Sequence, residues 1–482
     1  MFNPAFFYQS GKPASAQFVS TWKTDNISVG SSTATQVKLP LVSTGTYNFI
    51  VDWGDGSSNT ITTWNDAATT HTYSVAGTYT IKIKGVCVGW VFNNIGDKAK
   101  ILSVTTWGKL KLGTTEGSYF YGCSRLNLSG VTDVLDLTGT TTLANCFYNC
   151  SILTTISRLS EWNLVGVADV SSMFRGATNF NQALDGWNIS TANTMQNMFT
   201  DARNFNNGLA SGISGTLSWN TSAVTNMISM FNTATSFNCN IGSWDVSAVT
   251  SFNSMFYNAL KFNNGGSGSI GSWTLKTTGA VDMSTMFRAA TLFNQPLNGW
   301  NTIAVTNMSI MFYQATNFNN GLASGVAGTL SWNTGAVTTM NNMFPSATSF
   351  NCNINSWNTG AVTNMAFMFS NTIAFNQSLA SWNTANVTDI GSMFSSATLF
   401  DQNLGAWNVS KVTNFTNFML CKTPSTFSTT NLDAIYNGWS TRPVLPSKTI
   451  TFGTAKYTSG ATAGRAILTG SPNLWAITDG GL

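Results

Sequence analysis

Charge is what this chain has least of: Asp, Glu, Lys and Arg together make up 8% of 482 residues, against roughly 25% in an average soluble domain. Lys and Arg number 22 and Asp and Glu 18, a net charge of +4. That balance is too small, and the basic residues too scattered, to neutralise a run of phosphates, so no nucleic-acid partner is expected. Histidine occurs once, at His71, and glutamate only at Glu116 and Glu161. A zincin-type metal site needs at least two histidines, and a glycosidase acid/base pair would have to be built from aspartates. Asp185, Asp201, Asp245, Asp282 and Asp389 fall at unrelated places and predict no carboxylate cluster. No apolar run approaches the ~20 residues that cross a bilayer, so no membrane insertion is expected. Residues 1–10 show neither the charged nor the apolar region of a secretory signal. No enzyme activity, catalytic residue, metal or cofactor is expected from this inventory. An extracellular carbohydrate enzyme is the weakest alternative.

Cysteine is also too sparse and too odd in number, seven, for a disulfide scaffold. Cys123 and Cys150 follow Phe120 and Phe147 by three residues, a slot filled elsewhere by Ala177, Ala202, Ala234, Ala259 and Ala290. A small buried side chain suits that slot, and free cysteine serves as one. Cys239 and Cys352 share another equivalent slot, four repeats apart, and should not touch.

What the chain does have is repetition. From Trp162 onward it returns to Trp-Asn-x-x-x-Val-Thr-Asn-Met-x-x-Met-Phe-x-x-Ala-x-x-Phe-Asn, as in 219–238 and 382–401. The phenylalanine after the second methionine falls at Phe174, Phe199, Phe231, Phe256, Phe287, Phe312, Phe344, Phe369 and Phe394, in steps of 25 alternating with 31 or 32 until the last. Phe120 and Phe147 extend the series upstream and Met419 downstream. A unit of about 25 residues cannot bury its own apolar face, so neighbours must stack, which predicts a one-dimensional solenoid of about twelve coils. The Trp-Asn-Thr-x-x-Val-Thr stretch reads as a short strand, and Met-x-x-Met-Phe-x-x-Ala as one helical or 3₁₀ turn. Asn and Thr at matched positions predict side-chain ladders down the stack. The aromatic and methionine stripe reads as core rather than as sugar-stacking platforms. Length varies mostly in loops that recur in every second coil, at 206–212, 263–268 and 319–325. Insertions of this kind map to one edge of a repeat array, often the binding edge, although neutral slack between coils gives the same pattern. The candidate edge residues are Asn207, Leu209, Asn264, Ser267, Asn320 and Leu322.

The repeat resembles that of BspA-like surface proteins, a leucine-rich-repeat-related family also found in mycoplasma lipoproteins, over roughly residues 100 to 420. The tail, from Leu432-Asp-Ala-Ile-Tyr-Asn-Gly-Trp439 through Trp475-Ala-Ile-Thr-Asp-Gly-Gly481, resembles the capping segment that often closes such arrays. Ahead of the repeats, Tyr47-Asn-Phe-Ile-Val-Asp-Trp-Gly-Asp-Gly-Ser57 and His71-Thr-Tyr-Ser-Val-Ala-Gly-Thr-Tyr-Thr-Ile-Lys-Ile83 are similar to polycystic-kidney-disease-type immunoglobulin-like domains. The alternation Phe49/Val51/Trp53 and Tyr79/Ile81/Ile83 independently reads as half-buried strands, with Gly54-Asp55-Gly56 as the turn. By this resemblance His71 packs near the turn. Asp52 and Asp55 either cap that turn or, with backbone carbonyls, hold calcium weakly.

These readings predict a mainly β chain: an N-terminal extension or anchor over 1–25, an immunoglobulin-like β-sandwich over 26–88, a leucine-rich-repeat-like solenoid over 89–424 and a cap over 425–482. The function they imply is a non-enzymatic bacteriophage virion surface protein, a tail fibre, receptor-binding or head-decoration component that attaches to the host. The alternative is a bacterial adhesin at the cell surface, outside the cell. The expected partners are a host surface protein or glycan and, through the N-terminal segment, other virion proteins. A homo-oligomer such as a trimer suits a fibre, and no residue specifies it.

Overall fold

β-Branched and aromatic residues alternating with polar ones build extended strands with one buried face, and the N-terminal region follows this rule. In the computed structural model, which describes residues 17–482, β1 (Gln17–Lys23) buries Phe18, Ser20 and Trp22 on one face. β1 lies inside a six-stranded sheet with β3 (Leu41–Asp52), β4 (Ser58–Ile61), β6 (Thr78–Trp90), β7 (Ile101–Thr106) and β8 (Leu110–Lys111). The order is β4-β3-β6-β1-β7, antiparallel throughout, and β8 adds to β6 in parallel. The expected alternation holds: Phe49 and Val51 of β3 and Ile81 and Ile83 of β6 are buried. Gly54 and Gly56 take the left-handed backbone that the turn between β3 and β4 requires. β2 (Gln36–Lys38) pairs only with β5 (Thr70–Thr72). Behind them, the buried Lys100 ammonium is bound by the carbonyls of Ser32, Thr33 and Gln36 at 2.8–2.9 Å and by Asp97 at 3.4 Å. This pins the 28–36 loop.

The N-terminal part is therefore not the two-sheet immunoglobulin-like sandwich expected over 26–88. One sheet dominates and draws strands from both sides of that range, and its companion is a pair of three-residue strands. Of the extension expected over 1–25, residues 1–16 lie outside the described residues, as does the contact with other virion proteins expected through them. Residues 17–23 are β1.

The chain divides into two units, residues 1–191 and 192–482. Within the first, Phe120, Phe147 and Phe174 stack face to face at 5.8 and 5.6 Å. Within the second, three aromatic columns run through the repeats. Phe199, Phe231, Phe256, Phe287, Phe312, Phe344, Phe369 and Phe394 stack at 5.5–5.8 Å. Phe205 through Phe400 form a second column, and tryptophans such as Trp300 and Trp332, 6.1 Å apart, a third. The phenylalanines are fully buried, each contributing on the order of 1.5–3 kcal/mol. The aromatic stripe is core.

The backbone between these rings is neither strand nor helix. Residues two before and two after each core phenylalanine sit at positive φ, for example Ser229 at 53° and Thr233 at 58° around Phe231, and Phe367 at 58° and Asn371 at 56° around Phe369. Successive amides consequently point alternately along and across the repeat. Met227, Ser229, Phe231 and Thr233 donate to carbonyls of the next repeat at 2.7–3.2 Å, while Met230, Asn232 and Ala234 donate three residues back at 3.0–3.2 Å.

This overturns the expectation of a mainly β, leucine-rich-repeat-like solenoid. The strands of the second unit are β9 (Gly215–Thr216), β10 (Cys239–Asn240), β11 (Val281–Asp282), β12 (Val305–Asn307), β13 (Gly328–Thr329) and β14 (Cys352–Asn353), followed near the end by β15 (Thr449–Thr451) and β16 (Ala476–Thr478). They pair only two at a time, and the remaining repeats meet through single bridges such as Thr339↔Asn364. A left-handed residue after at most a few extended ones prevents a strand from growing, and the same residue prevents the expected helical or 3₁₀ turn. Most of the repeat region is turn and irregular chain. The tail expected as a cap over 425–482 holds the two α-helices, α1 (Thr429–Trp439) and α2 (Thr462–Thr469), and the parallel pair β15–β16.

Candidate functional site

The expected Asn and Thr ladders are present. In the second unit, the asparagine after the second phenylalanine accepts the backbone N–H of its counterpart in the next repeat, Asn206←Asn238, Asn238←Asn263, Asn263←Asn294, Asn294←Asn319, Asn319←Asn351 and Asn351←Asn376, all at 2.8–2.9 Å. Thr363, Thr388 and Thr413 hydroxyls donate to the carbonyl of the preceding threonine in their column at 3.0–3.3 Å. Trp300, Trp332 and Trp357 indoles donate to the carbonyls of Ile270, Leu297 and Leu330 at 2.7–3.0 Å.

The first and third candidate edge loops are built alike. Asn206 Nδ2 donates to the carbonyls of Ala210 and Ile213 at 2.6 and 3.0 Å, and Asn319 Nδ2 to those of Ala323 and Val326 at 2.6 and 2.9 Å. Asn207 and Asn320 Nδ2 reach the carbonyls of Thr216 and Thr329 at 3.1 and 3.0 Å. Both are buried, so these two expected contact residues are loop braces. Asn264 is likewise fully buried, accepting from Ile241 N–H at 2.9 Å and donating to the Ser267 carbonyl at 2.7 Å. Ser267 is half-buried and caps a 3₁₀ turn through Ser269 N–H; Leu209 and Leu322 are half-buried. What the first and third loops expose instead is Ile213, 54% accessible, and Val326, 48%. The middle loop exposes no such residue: its Ile270 is buried at the repeat position of Leu217 and Leu330, whose carbonyls likewise accept the next tryptophan's indole N–H.

A second cluster was missed in the sequence. The residue after each core phenylalanine reads Tyr257, Arg288 and Tyr313 in three consecutive repeats, and the Arg288 guanidinium lies between the two rings, 4.9 and 5.1 Å from their centroids. Among the described residues it makes no hydrogen bond or ion pair; Nε is shielded from solvent, and Nη1 and Nη2 remain accessible. The first unit uses the same repeat position for Tyr121 and Tyr148, stacked at 4.3 Å, with Arg175 5.0 Å over Tyr148. The signal was available as a fixed spacing, one residue beyond each core phenylalanine, on a chain with few charges.

His71 and several of the aspartates are engaged in turns. His71 stacks on Trp53 at 4.8 Å and meets Asp55 at 2.8 Å. Hydrogen bonds from Ser57 and His71 hold the Asp55 carboxyl at about 2. Asp52 accepts from Gly54 N–H at 2.9 Å, so both aspartates cap the turn. Asp245, Asp282 and Asp389 each accept the N–H two residues on, at 2.8–2.9 Å. Arg203 meets Asp201 at 3.7 Å, and Glu161 pairs with Arg158 at 2.6 Å. Cys123 and Cys150 are buried in the alanine slot; all seven cysteines are free, and Cys421 is exposed.

Residues 117–213, 210–278, 267–326 and 324–433 match the family described as Mycoplasma protein of unknown function, DUF285. The chain belongs to the DUF285 family. These are repeats of the BspA-like kind, and the DUF285 region contains the columns, the ladders, both braced loops and the two tyrosine–arginine clusters. No curated protein and no solved structure matches the chain.

Proposed function

We propose that this DUF285 protein is a non-enzymatic attachment protein displayed on a bacteriophage virion, binding a host surface protein or glycan through its repeats. The observation that supports this reading is the pair of braced loops at 206–216 and 319–329. Each spends four or more hydrogen bonds to hold an apolar side chain, Ile213 or Val326, out in water. Neutral slack would need neither the bracing nor the exposed side chain. Catalysis is disfavoured because the acidic side chains cap turns or pair with arginines. The second reading is a bacterial cell-surface adhesin, favoured by kinship with a mycoplasma family.

The test is whole-cell and glycan binding with Ile213→Ser and Val326→Ser together, and with the 207–214 and 320–327 segments shortened. Binding should fall at least tenfold; full retention in every variant sinks the attachment role of these loops. Capsid and tail genes beside the coding sequence would support the virion reading, and a secretion cluster would replace it with the adhesin.

A further inference from the structure

We propose that the Arg288 guanidinium, held between Tyr257 and Tyr313, is a receptor site for an oxyanion carried on an acidic polysaccharide. This deepens the attachment reading and rests on it. A guanidinium is planar, permanently charged and weakly hydrated, so two aromatic faces can fix its plane without neutralising it. Here the rings lie 4.9 and 5.1 Å from the guanidinium carbon. With both faces covered and Nε shielded, the solvent-accessible donors are Nη1 and Nη2. Those two N–H groups form a fixed fork whose spacing matches two oxygens of a carboxylate or phosphate.

A purely structural arginine would be expected to meet a carboxylate. The aspartate nearest along the chain, Asp282, instead accepts from Ser284 N–H at 2.9 Å, and Arg288 forms no ion pair among the described residues. The Tyr148–Arg175 contact repeats the device at the same repeat position in the other unit. The same position in the repeats flanking Tyr257 and Tyr313 carries Asn232 and Pro345, so Arg288 supplies the charge of this column in the second unit. Uronate carboxylates and polymer phosphodiesters share this chemistry.

The experiment is titration calorimetry of the full chain with trigalacturonic acid, with its fully methyl-esterified form and with a glycerol-phosphate trimer. Wild type should bind trigalacturonic acid or the phosphate trimer, the one preferred naming the source, and should not bind the ester. Arg288→Lys keeps the charge and loses the planar fork, and should weaken binding about tenfold or more. Arg288→Lys should keep the wild-type circular dichroism spectrum, which separates loss of the fork from a folding defect. Binding of the ester equal to that of the acid, no binding of either anion at millimolar concentration, or unchanged affinity in Arg288→Lys would overturn the proposal. Ile213→Ser and Val326→Ser should leave this titration unchanged. Loss of cell binding in the loop variants and loss of oxyanion binding in Arg288→Lys therefore report on the two readings separately.

Discussion

At the scale of single residues, the repeat demands a left-handed backbone twice per unit, and the side chains there show how tightly the fold constrains them. Asn, Asp and Gly, which tolerate αL, share these places mainly with Ser and Thr. Phe367 at φ 58° and Ile310 at φ 62° do not fit that preference. Phe367 is 44% exposed, so its ring repays little of the strain. Phe367→Asn should raise stability by about 1 kcal/mol, read as a higher denaturation midpoint; a lower midpoint would mean that the ring packs more than its exposure implies. Periodicity placed the core side chains correctly, because burial of phenylalanine and methionine depends on spacing alone. It assigned Met-x-x-Met-Phe the wrong backbone, because apolar residues at i, i+3 and i+4 line up on a helical turn and equally on a run of turns that alternates hand.

At the scale of elements, the asparagine ladder does the work that a parallel sheet does elsewhere. A side-chain amide supplies both donor and acceptor, so one column of Asn can join repeats whose backbone is too curved to pair. Asn319 both joins and braces: Oδ1 accepts Asn351 N–H at 2.9 Å, and Nδ2 donates to the Ala323 and Val326 carbonyls. Asn319→Ala leaves these groups unpaired in a buried place and should cost about 2–4 kcal/mol. Hydrogen exchange should rise selectively in residues 320–328. If it rose uniformly, or not at all, the loop would not depend on that amide. Asn207, Asn264 and Asn320 were legible as loop residues and not as braces. Loop composition shows that a turn is present, whereas which amide faces inward depends on the neighbouring repeat.

At the scale of the whole molecule, so few titratable groups should give a shallow dependence of stability on pH, with one departure at the end of the repeats. Lys422 is buried, its ammonium bound by the carbonyls of Ala397, Thr398 and Phe400, and desolvation pushes its pKa from 10.5 down to about 8. Between those values the unfolded chain holds a proton that the folded chain has lost, so stability should rise with pH across that interval. Denaturant titrations at pH 7, 8.5 and 10 should show wild type gaining on Lys422→Met as pH increases; parallel curves would mean that the ammonium stays charged in the fold. Subtracting the variant removes the tyrosine and cysteine contributions common to both proteins. Just beyond, Asp401 accepts from Ser428 N–H at 2.9 Å and Trp439 of α1 donates to the Leu404 carbonyl at 3.0 Å, so the helical tail takes up the groups that the last repeat leaves open.

By itself the sequence determined the repeat, its register, the inward aromatic columns, the Thr and Asn ladders and the family kinship, because each follows from residue type recurring at constant spacing. Only the tertiary structure decided that the repeats are built from turns rather than strands, and that the N-terminal region holds one six-stranded sheet with a two-stranded companion. It also decided which loop side chains brace and which protrude, and that Tyr257, Arg288 and Tyr313 meet. Those outcomes depend on backbone hand and on contacts between residues some 25 to 30 positions apart, which composition and local pattern do not encode.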